Sequence, residues 1–112
     1  MITTGILNDI TVCSFDQSNK LNALISEEVK REVGKNFDKP DTKLILDLKN
    51  IGFADSSGFG ALLSIMRSAK NNSGIFRICN IAPDVMKVFR LLQLHKVFEI
   101  YDNLEDCLES FS

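Results

Sequence analysis

The chain has 112 residues, 45% of them apolar and 25% charged, with a formal net charge of −2. That composition suits one folded domain and excludes a disordered chain. The 13 basic residues are scattered rather than clustered, so the phosphate-neutralising surface needed for direct nucleic-acid binding is not expected.

No apolar run approaches the length of a membrane span, and Met1 to Ile10 lacks the pattern of a signal peptide. A cytoplasmic protein without membrane insertion is the expectation. Cys13, Cys79 and Cys107 are far apart and form no Cys-x-x-Cys pair. They read as free thiols filling small core positions in a reducing compartment, with no metal and no cofactor expected.

In chain order, Thr3 to Leu7 and Ile10 to Phe15 read as paired short strands joined at "NDI". Asp16 to Lys20 reads as a polar loop. Ile25, Val29, Val33 and Phe37 then recur at helical spacing, with charged residues between them, until Pro40 and Asp41 end the element. "KLILDLK", Lys43 to Lys49, reads as a strand covered on more than one side.

Phe59, Leu62, Leu63 and Met66 predict the buried face of a second helix, which "NNSG" (Asn71 to Gly74) stops. Ile75 to Cys79 is a further buried strand. Strand, helix, strand in this order predicts a parallel βαβ unit. Pro83 opens a third helix whose apolar face is Val85, Val88, Phe89 and Leu92. Val97 to Tyr101 reads as a short strand. Asn103 caps a last helix with Leu104, Cys107, Leu108 and Phe111 on one face. The expectation is a single α/β domain over 1–112: a small mixed sheet with about four helices packed on it.

"DSSGFG", Asp55 to Gly60, falls between the carboxyl end of a strand and the start of a helix. That edge of an α/β sheet is where ligands and chemistry gather. Three readings of Ser56 follow. As a cap, Ser56 or Asp55 accepts from the free N–H groups of the helix. As a nucleophile, Ser56 needs a base, but the sole histidine, His95, follows the third helix, and no Gly-x-Ser-x-Gly elbow is present. As a phosphate acceptor, Ser56 gains close to two negative charges at a helix end that tolerates them. Gly58 and Gly60 cost helix stability and predict a close approach by a strand, a ligand or a partner. No catalytic residue is expected.

The order of elements, with "LILDL" (Leu44 to Leu48) followed by Asp55-Ser56-Ser57-Gly58-Phe59-Gly60, resembles the STAS domain and, within it, the bacterial anti-sigma factor antagonists. Phe59 stands where that family usually has leucine. The later "NIAPDVMKVFRLLQLHKVFEIYDN" resembles it too, so the likeness spans nearly the whole chain.

The resemblance implies a binding module that is not an enzyme. It implies phosphorylation at Ser56, with Asp55, Ser57, Gly58, Gly60 and Asn22 forming the partner-binding switch loop. The implied partners are an anti-sigma factor serine/threonine kinase, bound by the unphosphorylated form, and a phosphatase that restores that form. Where the family often shows Gly-x-Leu-Asp, this chain has Asn19-Lys20-Leu21-Asn22. Two other roles share the fold: a subunit of an ABC-type lipid-transport complex, and a partner-switching module in a pathway without a sigma factor.

Overall fold

The computed structural model describes residues 1–17 and 19–112. Strands β1 (Ile2–Leu7) and β2 (Ile10–Phe15) form an antiparallel hairpin. Its turn residues, Asn8 and Asp9, have φ of 51° and 67°. Asn and Asp tolerate this left-handed backbone, and two such residues give the twist a tight hairpin requires.

β3 (Asn19–Leu21) and α1 (Ala23–Gly34) follow, and the chain continues through a 3-10 turn, Lys35–Asp38, that buries Phe37. Then come β4 (Lys43–Asp47), β5 (Ile51–Ala54) and α2 (Ser56–Asn71). β6 (Ile75–Cys79), α3 (Pro83–Leu91), β7 (Glu99–Tyr101) and α4 (Leu104–Glu109) complete the chain.

The main sheet has the order β1-β2-β4-β6-β7, parallel throughout except for the β1–β2 hairpin. β4 and β6 are adjacent and parallel, with α2 between them in sequence, so the expected βαβ unit is present. Alternation along β4 explains the two-sided burial. Leu44 and Leu46 enter the large core, and Ile45 enters a smaller cluster on the opposite face with Ile10, Cys79 and Cys107. In the large core, edge-to-face rings run in a row: Phe37–Phe76 at 6.1 Å, Phe76–Phe98 at 6.3 Å, Phe98–Phe89 at 5.8 Å and Phe89–Phe59 at 5.0 Å.

Four expectations need correction. Asp16 to Lys20 is not all loop, because Asn19 begins β3, which pairs in parallel with β5 in a separate two-stranded sheet. Ser18, inside that expected loop, lies outside the described residues. The buried stripe of α2 is Phe59, Leu62, Ile65 and Ala69, while Leu63 and Met66 are half-buried beside it. Leu92 is 51% exposed because α3 ends at Leu91 and Gln93 turns left-handed at φ 62°. The last strand is shorter than expected, Glu99–Tyr101, with Val97 exposed ahead of it.

Candidate functional site

The small β3–β5 sheet positions the site. Both strands end at helix starts: β3 leads through Asn22 into α1, and β5 leads through Asp55 into α2. The Asp55 backbone N–H donates to the Leu21 carbonyl at 3.1 Å, which holds the two helix starts side by side.

Asp55 is the cap of α2. Its Oδ1 accepts from the backbone N–H of Ser57 at 3.0 Å and of Gly58 at 3.2 Å, and from the Ser57 hydroxyl. The Ser57 hydroxyl is the largest cause holding the Asp55 carboxyl below its ordinary value; desolvation opposes it, and these amides add smaller lowering effects. Of the two cap candidates at this helix, Asp55 takes the role and Ser56 does not. Ser56 is the first helical residue and is exposed, and its hydroxyl has no hydrogen-bond partner among the described residues.

Ser57 points the other way and is half-buried. Its Oγ lies 3.3 Å from the hydroxyl of Ser26, a buried polar residue of α1. The Ser26 hydroxyl also reaches the Asn22 carbonyl, so its single proton has two acceptors. Asn22 itself caps α1, its side chain accepting from the Leu24 N–H at 3.1 Å. A polar chain thus runs Asp55, Ser57, Ser26, Asn22 across the two helix mouths.

The two glycines separate. A Cβ on Gly58 would lie 2.3 Å from the Leu21 carbonyl oxygen and 2.8 Å from Leu21 Cγ. The close neighbour at Gly58 is therefore the chain's own β3. Gly60 is exposed, and a Cβ there would meet nothing within 4 Å. It borders a cleft of about 360 Å³ between α1 and α2 whose lining includes Ala23, Ser26, Ser57 and Ala61.

Two neighbours escaped sequence reasoning. Leu24, beside Asn22, is 90% exposed, and Phe53, two residues before Asp55, is 50% exposed. Their apolar character reads as core in a linear pattern, and only the placement of β5 and the α1 start shows them outside. His95 lies in a 3-10 turn, Leu94–Lys96, and makes no hydrogen bond to Ser56. Among the described residues, no three His, Cys, Asp or Glu side chains gather as a metal site. No described helix is long and apolar enough to cross a membrane.

A five-stranded mixed sheet, four helices and a serine-bearing helix mouth beside the sheet define the class, and the chain belongs to the STAS domain family, which matches residues 3–107. Its relatives there include the anti-sigma F factor antagonist of Paenibacillus polymyxa, 29% identical over 87 residues, covering 77% of this chain and 74% of that protein. An anti-sigma-factor antagonist domain protein from Planctomyces limnophilus superimposes with a TM-score of 0.85 at 20% identity, over 97% of this chain and 96% of that one. The phosphorylated form of the Bacillus cell fate determinant SpoIIAA superimposes at 0.71 and 19% identity, over the full length of both chains.

Proposed function

We propose that this protein is a phosphorylation-switched antagonist in a partner-switching circuit. The unphosphorylated form binds an anti-sigma factor that is also a serine/threonine kinase, and so frees the sigma factor. The kinase phosphorylates Ser56, the complex separates, and a phosphatase resets the protein in the cytoplasm. The observation that carries this reading is the division of labour at the α2 mouth. The hydroxyl of Ser56 is exposed and unpartnered, while the adjacent Asp55 does the capping.

The electrostatics follow from that placement. A phosphate on Ser56 adds about −1.5 to −2 charges beside the ionised Asp55, at a helix end whose dipole tolerates them. The fold has no reason to change, whereas a partner surface matched to a neutral hydroxyl meets a dianion. Leu24, Phe53 and the open backbone at Gly60 supply the apolar and close-approach parts of the docking face. Asn22 takes a capping role in place of the family's acid, so its contribution to docking passes through α1 placement.

The test is recovery of the protein from its native host, with identification of what accompanies it and mapping of phosphate. A serine kinase partner, phosphate on Ser56, binding kept in Ser56→Ala and weakened in Ser56→Asp support the proposal. A transport ATPase as partner with Ser56 bare, or full binding by Ser56→Asp, overturns it.

A further inference from the structure

The main sheet has two edges, and they are built differently. β7 is three residues long and carries Glu99. Shortness and charge are what keep an edge strand from pairing with another chain. β1 has neither protection. Its six residues, Ile2 to Leu7, include no charge and no proline, and their register against β2 runs without a bulge. Five of the six are exposed, among them Ile6 at 73% and Leu7 at 50%.

The hairpin decides which backbone groups of β1 face outward. The Met1 carbonyl accepts from the Asp16 N–H at 3.0 Å, so the ladder is hydrogen-bonded at that pair. Bonded and non-bonded pairs alternate in an antiparallel ladder. Thr3, Gly5 and Leu7 therefore bond inward to Ser14, Val12 and Ile10, and the N–H and C=O groups of Ile2, Thr4 and Ile6 point away from β2. The 3.6 Å contact of Thr4 Oγ with Cys13 Sγ fits, because side chains approach closer in a non-bonded pair.

We propose that β1 is a self-association edge: two copies of this chain join their β1 strands antiparallel about a two-fold axis at Thr4, making one continuous sheet with five strands from each copy. The strand is self-complementary in that register. Ile2 and Ile6 stand two residues either side of Thr4, so each outward-facing residue meets another: Ile2 meets Ile6 of the second copy, and Thr4 meets Thr4. The three pairs exchange all the outward N–H and C=O groups. Isoleucine opposite isoleucine and threonine opposite threonine are favourable cross-strand pairs. Ile2 already packs against the large core, so the exposed Ile6 of the second copy is added to that core's rim. A charged strand would repel its own copy across the axis, and β1 is neutral throughout. Two strands about 20 Å long, meeting edge to edge, cover less than the roughly 1,600 Å² of a standard interface, so the dimer is reversible. β1 contributes no residue to the α2 mouth, so this association is independent of the switch at Ser56.

The test is sedimentation equilibrium of the purified chain from about 1 μM to about 1 mM, the range in which a small interface associates. The expected mass rises with concentration from 12.5 kDa towards twice that value. Amide hydrogen exchange reads the register: the Thr4 and Ile6 amides slow as concentration rises, and those of β7 do not. Ile6→Lys puts a charge on this edge through a side chain that is already exposed, so the variant folds, as circular dichroism checks, and its dimer should dissociate at least about tenfold more readily. A monomer throughout the range, a dimer whose Thr4 and Ile6 amides still exchange fast, or an Ile6→Lys protein that associates like wild type overturns the proposal.

Discussion

Gly58 and Gly60 stand two residues apart in the same helix, and alanine at each should have opposite effects. At Gly60 the added methyl meets open space, so only helix propensity changes, a gain of about 0.5–1 kcal/mol. At Gly58 the same gain competes with a Cβ 2.3 Å from a backbone carbonyl oxygen, about 1 Å inside ordinary contact. Leu21 cannot simply retreat. Its side chain is fully buried and its carbonyl accepts from the Asp55 N–H at 3.1 Å.

Overpacking of this kind costs about 1–3 kcal/mol. Lengthening the Asp55–Leu21 hydrogen bond adds about 0.5–1.5 kcal/mol. After the propensity gain, Gly58→Ala should be destabilised by about 1–3 kcal/mol. The gap between the two variants is then roughly 2–4 kcal/mol, or about 1–2 M in urea midpoint at a slope of about 2 kcal/mol per M. Equilibrium urea unfolding followed by circular dichroism reads it directly. A Gly58→Ala protein as stable as Gly60→Ala would refute the close packing of β3 on the α2 mouth.

Three further outcomes follow from the geometry. Asp55 has a lowered carboxyl pKa in the fold, so its contribution is present above the unfolded value of about 3.9 and is lost as pH falls through the lower folded value. Asp55→Asn keeps a good cap without a titrating group, so its stability should fall less on acidification below about pH 4, as thermal melts across that range would read. Phe89→Ala should lose about 3–5 kcal/mol because the ring is fully buried between Phe59 and Phe98, while Leu92→Ala should stay within about 0.5 kcal/mol. Equal losses in denaturant would mean that α3 is rotated or longer than described. Asn22→Ala removes the α1 cap and should cost about 1 kcal/mol, with Asn22→Asp close to wild type in the same assay.

Long, regular patterns made the main sheet and helix order legible. The four-residue recurrence from Ile25 to Phe37 and the unbroken run at Leu44 to Leu48 are each long enough to show a period. β3 and β5 were not legible. Strands of three and four residues are too short for alternation, and a parallel pair joins segments some thirty residues apart, such as Lys20 and Phe53. Leu92 fits helical spacing after Val85, yet nothing in that spacing reveals that the helix stops one residue earlier. At the site, "DSSGFG" marks the place, but the opposite orientations of Ser56 and Ser57 depend on Asp55 rather than Ser56 taking the cap, with Ser57 drawn to the same carboxylate oxygen. The Ser26 contact is thirty-one positions away and has no local signal.

Because the cap of α2 belongs to Asp55 and not to Ser56, the residue that keeps the helix mouth in shape and the residue with the exposed hydroxyl are immediate neighbours. A group attached to Ser56 therefore leaves the capping hydrogen bonds of Asp55 in place. A modification at Ser56, as proposed, would face outward to another molecule, because the cap beneath it does not use that hydroxyl.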